Sequence, residues 1–152
     1  MTPFKKLCAL CLLCVLCASC KKEDDIQAIF EGKTWYITNG YIQGRQLAGD
    51  DIRSLCASPH AYQISFSTSS FVATLTDGNT FTGQWKADGK NQTFTLNIHQ
   101  EPSKFNTLLE ENIYHTLKKT IRYEGDINIM KFHTNDGSYI GCGSKRSPES
   151  FR

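Results

Sequence analysis

The chain is short of net charge, of long apolar runs and of histidine pairs, and each shortage removes a class of function. Its 17 Lys and Arg against 15 Asp and Glu leave a formal charge of +2 over 152 residues. That is too little to hold a phosphate backbone electrostatically, so nucleic acid is not an expected partner. At 39% hydrophobic residues, the chain is also too apolar to stay disordered. The uncharged apolar stretch Leu7 through Cys17 has eleven residues. As a helix it would span about 16 Å, against a hydrocarbon core of about 30 Å. No mature transmembrane anchor is predicted.

The signatures of catalysis are missing too. The histidines are His60, His99, His115 and His133, and none forms an H-x-H or H-x-x-x-H pair that would turn two imidazoles toward one metal. Solvated or structural histidines are the expectation. There is no G-x-S-x-G elbow and no glycine-rich phosphate loop. The acidic pairs Asp50-Asp51 and Glu110-Glu111 are adjacent, so their side chains point to different faces and make no acid/base couple. Asp50-Asp51 reads more simply as the start of a helix, where negative charge is favoured. No catalytic residue, metal or cofactor is predicted, and the chain does not read as an enzyme.

What is present begins with an address label. Lys5 and Lys6 precede the apolar stretch in the layout of a secretory signal over residues 1–19. Five cysteines, Cys8, Cys11, Cys14, Cys17 and Cys20, recur every third residue. Repeated C-x-x-C suggests a metal site, but the residues between are mostly Leu, Ala and Val and offer no polar support for a cluster. Cys20 stands apart. Small Ala18 and Ser19 precede it, and Lys21-Lys22-Glu23-Asp24-Asp25 follows. The stretch Leu16-Cys17-Ala18-Ser19-Cys20 resembles the bacterial lipobox, which implies acylation of Cys20 as the mature N-terminus. A diacylglyceryl group supplies two chains, enough for stable anchoring; the alternative is an ordinary secreted protein. Lys22-Glu23-Asp24-Asp25 is similar to the acidic tag of surface-displayed Bacteroidetes lipoproteins. It also fits a solvated linker over residues 20–27.

Loss of residues 1–19 removes Lys5 and Lys6, and the remaining basic residues then balance the 15 acidic ones. Besides Cys20, only Cys56 and Cys142 are left. In an oxidising envelope they read as a possible disulfide, worth about 4–5 kcal/mol in the chain-entropy model. Two buried free thiols are the alternative.

Residues 28–146 alternate with period two. Tyr62, Ile64 and Phe66 face one way, as do Phe71, Ala73 and Leu75, then Phe81, Gly83 and Trp85, then Phe94, Leu96 and Ile98. Threonines occupy much of the other face, the pattern of half-buried antiparallel strands. Turn residues at Asp77-Gly78-Asn79, Asp88-Gly89-Lys90-Asn91, Glu124-Gly125-Asp126 and Asn135-Asp136-Gly137 separate them. Phe105, Leu109, Ile113 and Leu117, with Leu108 beside them, form one helical stripe that Ser103 is placed to cap. A short helix is predicted over residues 50–57, and a frayed tail over 147–152. The fold class is mainly β: an antiparallel meander forming a closed or nearly closed barrel, with one amphipathic and one short helix.

Phe30-Glu31-Gly32-Lys33-Thr34-Trp35-Tyr36-Ile37 resembles the G-x-W-x-hydrophobic opening of small lipocalin-like and META-type envelope domains. Tyr123-Glu124-Gly125-Asp126-Ile127-Asn128-Ile129, following the 108–117 helix, is similar to their Y-x-G-D-x-L-x-L passage. Over residues 28–144 the chain resembles an uncharacterised Bacteroidetes lipoprotein family of this type. That resemblance implies the fold but no catalytic residue; the lipobox-like stretch and the acidic tag imply an outer-membrane, surface-exposed address.

The expected role is a non-enzymatic module, anchored to the membrane by its N-terminal lipid, that binds an unknown ligand or protein partner. Tyr36 and Tyr41 are the aromatics best placed to be exposed for an apolar or sugar ligand. The rivals are an inhibitor of a lysozyme or protease acting through the 134–143 hairpin, a structural accessory of a surface complex, and an enzyme.

Overall fold

A computed structural model describes residues 22–76 and 78–146. The signal segment, Cys20, Asp77 and the tail from Ser147 lie outside the described residues. In chain order the elements are α1 (Ile26–Phe30), β1 (Thr34–Ile42), β2 (Arg45–Gln46), α2 (Asp50–Cys56), β3 (Gln63–Phe66), β4 (Ser70–Thr76) and β5 (Asn79–Asp88). Then come β6 (Thr93–Gln100), α3 (Leu108–Lys118), β7 (Thr120–Gly125), β8 (Ile129–Thr134) and β9 (Tyr139–Gly143).

Strands β3 to β9 pair in sequence order, and β1 pairs with both β3 and β9, so the antiparallel sheet closes on itself. The fold is the mainly-β closed barrel that the alternation predicts; the ring is thinnest between β6 and β7, which meet through the single pair Thr93 and Arg122, and the two-residue β2 hangs outside it. The inward residues are the expected ones: Ile64, Phe66, Phe71, Ala73, Leu75, Phe81 and Phe94 are all at most 3% exposed. Trp85 departs from the pattern and is half-buried, its Nε1 donating to Ser67 O at 2.9 Å.

The interior is filled from one end. α1, absent from the sequence reading, places Phe30 on the barrel axis with no exposure. Its ring centroid lies 5.4 Å from Phe66, 5.3 Å from Trp85, 5.1 Å from Phe94 and 5.3 Å from Tyr123. Trp35 locks the same helix by donating from Nε1 to Ile29 O at 3.2 Å. Residues read as a solvated linker are part of this plug. Asp25 caps α1, its Oδ1 accepting from Ala28 N at 3.1 Å. Asp24 N donates to Gly89 O at 3.1 Å, and Asp24 Oδ2 accepts from Tyr123 OH at 2.7 Å. A Cβ on Gly89 would collide with the Asp24 carbonyl, so glycine is required there by the close approach of the N-terminal segment.

The barrel therefore has two distinct poles. The N-terminal segment, α1, the β5–β6 turn and the β7–β8 turn occupy one. At the other, β1 and β8 end and β9 begins, since Tyr41 pairs with Tyr139 and Tyr36 with Gly143. α3 lies across this second pole. Its N-cap is Thr107 rather than Ser103: Thr107 Oγ1 accepts from Glu110 N at 3.1 Å. Glu110 completes a variant capping box by accepting from Asn106 N at 2.7 Å. Leu109, Ile113 and Leu117 face the core as expected, whereas Leu108 is 70% exposed.

Cys56 and Cys142, the pair read as a possible disulfide, are unbridged thiols in this structure. Cys142 points into the barrel from the middle of β9, between Ile37 on β1 and Met130 on β8. Cys56 ends α2, half-buried against the core. Burial drives the Cys142 thiol pKa far up, which leaves it protonated and inert.

Candidate functional site

A half-open cleft of about 430 Å³ sits at the α3 pole. Leu108, Glu111, Asn112, His115, Thr116 and Lys119 of α3 and its C-cap form one wall. Gln43 from the β1–β2 turn and Thr134, Asp136 and Ser138 from the β8–β9 turn form the other, above Ile42. Local chemistry builds each wall. The buried face of α3 fixes the helix, which turns the i, i+4 pair Glu111 and His115 outward, 4.0 Å apart.

The β8–β9 turn is held by its own side chains. Asp136 Oδ1 accepts from Thr134 Oγ1 at 2.5 Å and from Ser138 N at 3.0 Å, and Thr134 N donates to Ser138 O at 3.0 Å. Those bonds to Thr134 and Ser138, with Lys119 nearby, pull the Asp136 carboxyl down to about 2. Asp136 is thus a fixed negative charge and a poor proton carrier near neutral pH. Only residues 135–137 are exposed between buried Thr134 and Ser138. The segment considered as an inhibitory loop is a tight turn that walls the cleft.

An aromatic shelf continues from the cleft down the outer wall. Tyr41, 37% exposed, stacks on Tyr139 with centroids 6.3 Å apart and planes at 18°. Lys131 Nζ lies 4.9 Å from the Tyr139 ring centroid. The His133 ring lies 5.6 Å from that of Tyr139, and His133 Nε2 is 2.9 Å from Glu124 Oε2. Desolvation and the Arg122 charge lower the His133 pKa, against the opposing pull of Glu124. The structure does not bring Tyr36 to this shelf: it is half-buried under the Arg146 guanidinium, 4.8 Å from its ring centroid.

Of the other histidines, His60 and His99 are exposed and stand apart from the cleft. Among the described residues no three His, Cys, Asp or Glu side chains are grouped to hold a metal ion. Sequence reasoning missed Glu110, which has no exposure and accepts from Asn79 Nδ2 at 3.1 Å as well as from Asn106. The T-x-x-E spacing of Thr107 and Glu110 was the available signal.

The model of the family described as Domain of unknown function (DUF4847) matches residues 21–141. The chain belongs to the DUF4847 family. The crystal structure of a DUF4847 family protein from Bacteroides vulgatus ATCC 8482, at 1.00 Å resolution, superposes with a TM-score of 0.63. It is 22% identical, and the match covers 80% of this chain and 99% of that one. At that identity it speaks for the DUF4847 fold alone and relates the barrel to a Bacteroidetes protein. No curated protein matches the chain.

Proposed function

We propose that this DUF4847 barrel is a non-enzymatic glycan-binding module of the cell envelope, carried on a lipidated Cys20 at the outer-membrane surface. The observation that carries the binding half is the adjacency of a stacked tyrosine shelf to a polar cleft outside a filled barrel. Sugars combine weakly acidic C–H faces, which pack on aromatic rings, with hydroxyls that need donors and acceptors of both kinds. The Tyr41–Tyr139 pair offers the first, and Gln43, Asn112, Thr134, Ser138, Glu111 and Lys119 offer the second. The interior argues against a lipid carrier, because Phe30, Trp35, Phe94, Tyr123 and Phe132 occupy it with at most 1% exposure each.

The non-catalytic reading is supported by the cleft carboxylates. Asp136 is committed to its turn, and Glu111 faces His115, its Oε1 4.0 Å from His115 Nε2. The test is a titration of isotope-labelled protein with a panel of neutral oligosaccharides, followed by amide shifts. Shifts confined to Gln43, residues 111–119 and residues 134–139, abolished by Tyr139→Ala, are expected. Shifts elsewhere on the barrel, or none across the panel, would overturn the assignment. The envelope half is tested by fractionation. The wild-type chain should sediment with membranes and Cys20→Ala should not.

A further inference from the structure

We propose that the β7–β8 turn is a membrane-contacting tip, and that Ile127 and Ile129 seat in the lipid surface beside the anchor. This rests on the lipidated Cys20 proposed above and goes beyond it by fixing how the barrel stands on the bilayer. Three observations carry it.

The first is reach. Lys22 lies two residues after Cys20, so at most about 7 Å of chain separates it from the acylated residue. Lys22 through Asp25 do not lead away from the barrel; they are folded against it. Together with Ala28, Ile29, Gly125, Asp126 and Ile127 they line one shallow groove. With Asp24 fastened to Gly89 and Tyr123, little slack is left, and the groove must lie close to the headgroups.

The second is composition. Turn tips are normally polar, yet here Ile127 is 58% exposed and Ile129 64% exposed, two of the most exposed large apolar side chains among the described residues. The third is rigidity. Asp126 Oδ1 accepts from Asn128 N at 2.7 Å and Ile129 N at 3.1 Å, and Asp126 N donates to Ile129 O at 2.8 Å. A tip held in this way presents its isoleucines without having to order on contact, which lowers the entropic cost of seating them.

The groove carries Lys22 against Glu23, Asp24, Asp25 and Asp126. The contact is therefore apolar rather than an attraction to anionic lipid. It places the α3 cleft at the far end of β8, whose six residues span about 17–20 Å, facing away from the membrane.

The experiment uses the full chain, made in a lipoprotein-processing bacterium fed labelled palmitate and reconstituted into phosphatidylcholine vesicles that contain spin-labelled lipid. In a Cys56→Ser background, a fluorophore is attached at Ile127→Cys or at Asn135→Cys on the opposite pole. Palmitate should be incorporated, and lipid quenching should be several-fold stronger at position 127 than at 135. Palmitate incorporation with equal quenching at both positions would overturn the orientation while leaving the anchor intact. No palmitate on the wild-type chain would overturn the anchor, and the orientation with it.

Discussion

At the residue scale, single side chains decide what this barrel can do. Asp136 shows how a turn fixes a charge. Its carboxyl falls from an ordinary 3.8 to about 2 because Thr134 and Ser138 donate to it. The folded form thus binds fewer protons between those values. The resulting stability is complete above the ordinary pKa and is lost as pH falls through about 2. A carbon-detected titration should give an Asp136 midpoint near 2; a midpoint near its ordinary value would mean that the turn bonds do not form in solution. Cys142 makes an opposite case, a thiol kept protonated by burial. In native protein, iodoacetamide should modify Cys56 and spare Cys142 until denaturant is added. A chain with no reactive thiol even when unfolded would instead contain the bridge. From sequence, two cysteines in an oxidising setting suggest pairing. Whether they pair depends on placement, Cys142 inside the barrel on β9 and Cys56 at the end of a helix against the core, and no spacing encodes that.

Among the elements, legibility follows periodicity. The strands from Gln63 to Gln100 were readable because each alternates along one buried face and is bounded by turn residues. α1 was not, because its five residues are too few to show a helical period. Only its partners reveal that Phe30 is the centre of the core. Truncating that ring should be costly: Phe30→Ala is expected to lose about 3–5 kcal/mol in urea unfolding. The start of α3 is ambiguous in the sequence because Ser103 and Thr107 are both competent caps, and tertiary position selects Thr107. Thr107→Ala should cost about 1 kcal/mol, and exposed Ser103→Ala no more than about 0.5 kcal/mol. The reverse order would restore Ser103 as the cap. A bulge also shaped the site. A regular strand would turn Tyr36 and Tyr41, five apart, to opposite faces. The register shift between Ile37 and Asn39 turns both outward, and Arg146 then covers only Tyr36.

At the scale of the whole molecule, closure and polarity matter most. A closed sheet with a plugged axis leaves its two poles and its outer wall to carry function, and the chain divides them. The N-terminal segment and the Ile127 tip share one pole, while α3 and the β8–β9 turn make the cleft at the other. The cleft was not legible in the sequence, because its walls come from segments more than sixty residues apart, Gln43 and residues 108–119. Sequence named Tyr41, but its partner Tyr139 becomes visible only through the β1–β9 pairing that closes the barrel. Gly89→Ala should push the N-terminal segment off the barrel end and cost about 1–2 kcal/mol, the value of one or two hydrogen bonds, read from a shift in the urea midpoint.

Recognition by the outer surface, as proposed above, requires a full interior, with Phe30, Phe94, Tyr123 and Phe132 closing the barrel. The most direct measurement is a titration of the folded protein with an environment-sensitive apolar dye. A filled barrel should give no saturable, stoichiometric site. Saturation at one site per chain, reversed by competing lipids, would mean an open cavity and would contradict it.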